Sequence, residues 1–257
     1  MTATVHILAT VRKPELLRAA LLVFQTLRVG FPTAHVCVWG NGLDAASAEA
    51  VSNVATFAGG KFCNLPATVH DVWLENLIAR STAPFWILDT DVVFHSNAED
   101  FALGDCVFAG RLEPEFDDEF TRCRHVERLH TCVMYLDPAR VRAASVAVMD
   151  KFPDPFRVTC EHPLLRMTRV PVRRGQSLCY DTTAGLWQAG YGTPFTPKQN
   201  DAFSHIHCGT YIDLIKVDSL ADLKAAHAMV YADPQRSRGM LAVQTKFYET
   251  RKPEVKS

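Results

Sequence analysis

"FWILDTDVVF", residues 85–94, sets four apolar residues directly before Asp89-Thr90-Asp91 and three more directly after. A short apolar run of this kind reads as a buried strand. Two carboxylates at its end need a reason, because a buried charge is costly unless it is paired or binds a metal. The residues alone allow two. The acids can close a turn by accepting from backbone N–H groups, or they can hold a divalent cation, whose hard character suits carboxylate oxygens.

Upstream, strand-like and helix-like segments alternate. "VHILAT" (5–10) reads as a strand. "PELLRAALLVFQTLRVG" (14–30) reads as a helix opened by Pro14, with Glu15 in its first turn and Gly30 at its end. "AHVCVWG" (34–40) is a second strand that stops at Gly40-Asn41-Gly42. Asp44 is placed to cap a helix over 44–58, and "KFCNLP" (61–66) is a short strand. "ATVHDVWLENLIARST" (67–82) spaces Val69, Val72, Trp73, Leu77 and Ile78 on one helical face. Such alternation predicts an α/β fold with a mostly parallel central sheet and helices on both faces. Ligands in such sheets bind beyond the carboxyl ends of strands, which is where Asp89 and Asp91 would stand.

The second half is more irregular. "DCVFAG" (105–110) and "LHTCVMYLD" (129–137) read as strands, and the acidic "EPEFDDEF" (113–120) between them as a loop. Pro138 opens a helix over 138–152. "YDTTAGLWQAGYG" (180–192) reads as a short helix stopped by glycine, with Asp181 at a capping position. "AFSHIHCG" (202–209) reads as a strand on which His205 and His207, two apart, share a face.

The bulk properties exclude several classes. The chain has 257 residues and a formal net charge of -1, so a broad basic surface for nucleic acid is not expected. Arg169, Arg173 and Arg174 form a local basic cluster that reads as a solvated face. The eight cysteines contain no Cys-x-x-Cys pair. Buried free thiols in a reducing compartment account for them better than disulfides or a zinc module. The opening "MTATVHILATVRKPE" lacks a basic stretch followed by a long apolar run, and no segment reaches the length of a membrane span. A cytoplasmic protein is expected, with the C-terminal tail the one candidate for peripheral membrane contact.

At this point "FWILDTDVVF" resembles the Asp-x-Asp motif of GT-A-fold glycosyltransferases, in particular the large inverting, family-2-like group. The segment 5–42 is similar to their opening strand, helix and second strand, and residues 70–91 to the helix and strand leading into the motif. "YDTTAGLWQAGYG" looks like their late acidic helix, and "FSHIHCGT" like their late His segment. The likeness covers roughly residues 3–210. It implies a single GT-A-like domain over 1–245, with 1–100 the nucleotide-sugar-binding half, 101–245 the acceptor-binding half, and 246–257 a polar tail.

The resemblance also implies roles. Mn2+ or Mg2+ would be held by Asp89, Asp91 and one of His205 and His207. A nucleotide-diphosphate sugar, with a UDP-sugar favoured, would meet Ala9, Thr10, Arg12, Asn41, Asn76 and Asp89. Val11, Trp39 and Gly40 flank this set; Trp39 either stacks on a base or is simply buried. Asp181 matches the acceptor base of an inverting transfer, although Tyr180 stands where the commoner pattern has a second acid. The hydroxyl acceptor (glycan, lipid-linked glycan, protein or small molecule) would lie over the second half, where Glu113, Asp117 and Asp118 are candidate contacts and Trp187 a candidate floor. Two other readings stand beside hexosyl transfer. A nucleotidyltransferase would show a glycine-rich basic loop early, which "ATVRKPE" does not. A non-catalytic metal- or nucleotide-binding scaffold would have no need of Asp181.

Overall fold

The computed structural model describes residues 2–11, 17, 24, 26–118, 123–148, 168–172 and 177–205. The first strand, β1 (Thr4–Ala9), is followed by helical residues 26–30 (α1), β2 (His35–Asn41), α2 (Ala45–Phe57), β3 (Lys61–Leu65) and α3 (His70–Arg80). Next come β4 (Phe85–Leu88), β5 (Val92–Phe94), β6 (Phe108–Glu113), β7 (Phe116–Asp118), β8 (Cys123–His125) and β9 (Arg128–Leu136). The described chain ends with α4 (Pro138–Val148), β10 (Thr168–Pro171), β11 (Ser177–Tyr180), α5 (Ala184–Gln188), β12 (Thr193–Pro194), α6 (Pro197–Asn200) and β13 (Phe203–His205).

The main sheet has seven strands in the order β12-β6-β9-β4-β1-β2-β3. β9 pairs antiparallel with both β4 and β6, and every other pairing is parallel. Alternate residues of the central strands feed two cores. Val5, Ile7, Trp86 and Leu88 pack with Leu27, Val51 and Ala55. Leu8, Phe85 and Ile87 pack with Trp73, Leu74, Ile78, Val141, Ala144 and Leu186. Because β-strand side chains alternate between faces, α1 and α2 cover one face and α3, α4 and α5 the other. The expected α/β architecture is therefore present.

The strand order decides where a ligand can go. The chain runs outward from β1 to β2 and β3, then crosses back to place β4 on the other side of β1. Between β1 and β4 the connections leave in opposite directions and open a crevice at the carboxyl ends. Thr10 and Asp89 follow those two strands.

Several local expectations are met and others corrected. Asp44 caps α2 by accepting from Ser47 N at 2.8 Å. On α3 the buried residues are Asp71, Trp73, Leu74, Glu75 and Ile78, whereas Val69 precedes the helix and is exposed. The strand read at 105–110 starts at Phe108 and runs on to Glu113. The acidic stretch is not all loop, since Phe116–Asp118 pairs with Cys123–His125 in a second sheet of order β10-β11-β8-β7. That second sheet lies in the irregular half. Cys123, Cys132 and Cys179 are buried free thiols as expected, but Cys63 is exposed because β3 is an edge strand. Of the basic cluster, Arg169 is exposed, while Arg173 and Arg174 lie outside the described residues, as do Cys160, Cys208 and the tail. The helix read at 14–30 is described at residues 17 and 24, both helical, and over its end, 26–30. Among the described residues no helix is long and apolar enough to cross a membrane.

That end of α1 grips the strand after the Asp-Thr-Asp turn. Thr26 Oγ1 accepts from Phe94 N at 3.2 Å, and Gly30 O accepts from Ala98 N at 2.8 Å. A Cβ on Gly30 would overlap the Phe94 ring, so the approach requires glycine. Gly30→Ala is expected to cost about 1–3 kcal/mol, the usual range for forced overpacking, read as a lower urea midpoint at unchanged slope. An unchanged midpoint would mean that the helix end and Phe94 separate freely.

Candidate active site

Asp89 leaves β4 with its N–H still in the sheet, donating to Cys132 O at 2.9 Å. Thr90 turns inward, and Asp91 leads into β5, whose three residues are buried. β5 pairs antiparallel with β13: Phe203 lies opposite Phe94, Ser204 opposite Val93, and His205 opposite Val92. This register delivers His205 to the acids. Its Nε2 is 3.1 Å from Asp91 Oδ1 and 3.7 Å from Asp89 Oδ2. Ligand atoms of Asp89, Asp91 and His205 all lie within 4.8 Å of one another. Two carboxylates and an imidazole at this spacing fit a divalent ion such as Mn2+ or Mg2+.

The electrostatics agree with a compressed anionic pair. Burial, and then the neighbouring Asp91 charge, push the Asp89 carboxyl above its ordinary range, against the pull of His205 and His70. Burial works against a charge on His205, yet Asp91 and Cys132 outweigh it and raise the imidazole well above its usual value. His205 is a counter-charge to the acid pair.

The other expected residues fall into three groups. Asp181 comes to the same end of the site, close enough for its charge to bear on Asp89. It is not the helix cap: α5 starts at Ala184 after Thr183, and the Asp181 carboxylate accepts instead from the adjacent Thr182 N at 2.8 Å. Thr183 has φ 69, the single positive-φ non-glycine residue among the described ones. Strained backbone of this kind persists where the surroundings hold it, and here the Thr183 hydroxyl donates to Leu129 O at 3.3 Å.

In the second group are residues that the fold already employs. Asn41 Nδ2 donates to Thr10 Oγ1 and Thr68 O, and its Oδ1 accepts from Thr68 N. It ties the loop before α3 to the end of β1. Asn76 is exposed and donates to Val72 O within its own helix. Ala9 is fully buried in the core. Trp39 donates through Nε1 to His6 Nδ1 at 3.1 Å, a bond that needs neutral His6, and burial lowers the His6 pKa to about 4. Trp187 is packed against the second core and donates to Glu127. Arg12 and His207 make up the third group and lie outside the described residues, as does the Asp118 side chain.

Three residues that sequence reading did not single out complete the site, Arg128, His130 and Cys132, and Glu113, read from the sequence as an acceptor contact, is the partner of Arg128. The register of β9 against β6 jumps from Gly110↔Met134 to Arg111↔His130, a bulge of the kind that re-aims side chains beside active sites. Arg128 is 2% exposed and reaches Asp181 Oδ2 at 3.0 Å and Glu113 Oε2 at 3.1 Å. Burial disfavours the Asp181 charge, but Arg128 and the Thr182 N–H prevail and hold its carboxyl below the ordinary range. His130 packs against His205 with ring centroids 4.8 Å apart, and burial with the His205 and Arg128 charges keeps it neutral. A clue was the charge and the imidazole lodged in the apolar run "RLHTCVMYL", but nothing local names their partners.

Among solved structures, the whole chain superposes on the glycosyltransferase GlyE of Streptococcus pneumoniae TIGR4, at 8% identity and a TM-score of 0.50, over 66% of that protein. It also matches the apo structure of the bifunctional glycosyltransferase WbbM over 95% of this chain and 52% of that one, at 10% identity and TM-score 0.50. The chain thus spans about two thirds of the first protein's length and about half of the second's. No protein-family profile and no curated protein matches it. The fold is that of GT-A-type glycosyltransferases.

Removing Arg128 leaves two carboxylates without their buried cation. Arg128→Met should cost about 3 kcal/mol at pH 7. Asp181 has a lowered folded-state pKa, so its stabilisation is present above the unfolded value of about 3.9 and is lost as pH falls through the folded value. The deficit of the variant should therefore shrink towards pH 3. Urea unfolding at both pH values checks this, and an equal deficit at both would reduce Arg128 to a packing residue.

Proposed function

We propose that the chain is a metal-dependent glycosyltransferase that moves a sugar from a nucleotide-diphosphate donor, a UDP-sugar favoured, to a hydroxyl acceptor. The observation that carries the reading is the convergence of Asp89 and Asp91 from one strand end with His205 from a distant strand, at the switch point of a GT-A-type sheet. Asp89, Asp91 and His205 would hold Mn2+ or Mg2+. Bound there, the ion supplies Lewis-acid neutralisation of the charge that grows on a departing diphosphate.

The chain's own residues do the rest. The switch-point crevice receives the donor beside Thr10 and Asp89. Asp181 takes the acceptor hydroxyl's proton in an inverting displacement. Its Arg128 pairing keeps it ionised at neutral pH and makes it a weak base, so the proton moves late, as the new glycosidic bond forms. The acceptor lies over Glu113 and the small second sheet, and the two halves of one domain, 1–100 and 101–245, divide donor from acceptor.

The experiment is a thermal-shift series with UDP, GDP, CDP and dTDP, each with Mn2+, Mg2+ or EDTA. A ligand at about 100 times its Kd stabilises the native state by about 2.7 kcal/mol. One nucleoside diphosphate should raise Tm with metal, and EDTA or Asp91→Asn should abolish the rise. No shift with any pairing would sink the reading. Asp181→Asn should keep that shift yet slow turnover by about 10²–10⁴-fold; full turnover in this variant would remove Asp181 as the base.

A further inference from the structure

His205 belongs to two clusters. Besides its approach to Asp89 and Asp91, it stands with His130 and Cys132, and one ligand atom from each of the three lies within 4.8 Å of the others. We propose that His130, Cys132 and His205 form a second metal site, selective for a soft divalent ion such as Zn2+.

The donor chemistry separates the two sites. The outer set is rich in carboxylate and suits a hard ion; the inner set offers a thiolate and two imidazoles, a combination that favours zinc over magnesium or manganese. Cys132 is fully buried and His205 4% exposed. Tetrahedral zinc holds its nitrogen and sulfur ligands about 3.3–3.6 Å apart, so the set closes by about 1 Å on binding. The β9 bulge between β6 and β4 is where such adjustment is available, since residues 131–133 have no partners on β6.

The ring orientations are also in place. His130 turns Nε2 towards Glu113 Oε2 at 3.4 Å and presents Nδ1 on the Cys132 side, where it accepts from Cys132 N at 3.0 Å. A carboxylate behind a histidine is the usual support for a metal-ligating imidazole. The Cys132 side chain hydrogen-bonds His205, so the sulfur already faces the shared ring. Binding forms one metal–sulfur and two metal–nitrogen bonds, and the His130 Nδ1 lone pair passes to the metal from Cys132 N–H, whose hydrogen bond breaks as the bulge adjusts. The thiol proton, and the second proton of a charged His205, leave to solvent, and no oxidant or reductant is needed.

Two dications on one imidazole repel, so Zn2+ in the inner set weakens Mn2+ in the outer one. This last consequence rests on the assignment of Asp89, Asp91 and His205 to the donor metal; the thiolate site itself does not.

The test is a Co2+ titration of the metal-free full chain, followed by absorbance. Cobalt substitutes for zinc, and a thiolate-to-cobalt charge-transfer band reports a cobalt–sulfur bond. The band should saturate at about one ion per chain and bleach on adding Zn2+. It should survive Asp91→Asn, vanish in Cys132→Ser, and require about 10- to 100-fold more Co2+ in His130→Gln. No band in the unmodified protein overturns the proposal without reference to any variant's folding. A band of full intensity in Cys132→Ser, with a native melting transition, overturns it by assigning the sulfur to another cysteine. Mn2+ binding followed by electron paramagnetic resonance separates the two readings. Loss of Mn2+ binding with the band intact would end the donor-metal assignment and leave the thiolate site standing.

Discussion

The contact between His205 and Asp91 joins residues 114 positions apart, and the site exists because of it. Two carboxylates at the end of a buried strand repel each other and lose water. The β5–β13 ladder brings an imidazole to within 3.1 Å of one and 3.7 Å of the other. Three residue pairs hold that ladder, and aromatic packing fixes its register: Phe94 meets Phe203, which also meets Phe195. A slip of one residue would turn His205 to the opposite face. The hydrophobic side of this short ladder thus sets the electrostatics of its polar side.

What could be read in the sequence follows the range of the interactions. Apolar runs such as "VHILAT" and "FWIL" carry their strand character locally, and Asp44 caps its helix three residues away. Asp89 and Asp91 were visible because carboxylates after an apolar strand conflict with burial at short range. Helix α3 was misread in part because Asp71 and Glu75, both buried, look like surface residues in any local pattern. The Arg128 network was hidden for the same reason. Its arginine reaches a carboxylate 15 residues before it and another 53 residues after it, and no periodicity reports such distances. Asp181 illustrates the intermediate case: its place before a helix suggested a cap, but the left-handed Thr183 delays the helix and frees the carboxylate for Arg128.

The β9 strand explains how so many polar groups reach one point. It is antiparallel in an otherwise parallel sheet and lies between β4 and β6, so its early residues run past the carboxyl ends of its neighbours. A regular pairing there would alternate its side chains between the two cores. Arg128, His130 and Cys132, two apart and so on one face, gather beside Asp181 and His205, and the bulge resets the alternation after them, so that Cys132 and Val133 both meet one core while Met134 packs in the other. Gly110, opposite the irregularity, lets the backbone approach; a Cβ there would sit 3.3 Å from His130 O.

Charge balance then constrains what can bind. Asp89, Asp91, Asp181 and Glu113 face Arg128 and a charged His205 across the same end of the sheet. Arg128 is already committed to Asp181 and Glu113, so it does little for the acid pair. The acid pair draws on His205, whose charge the two carboxylates share. A polyanionic ligand arriving at Asp89 therefore meets repulsion from the half-buried acid pair. In the proposed reaction Asp89, Asp91 and His205 would hold a divalent cation, whose charge would offset that repulsion. Donor binding would then depend on that cation, and His205, no longer needed to neutralise the acids, would serve as one of its ligands.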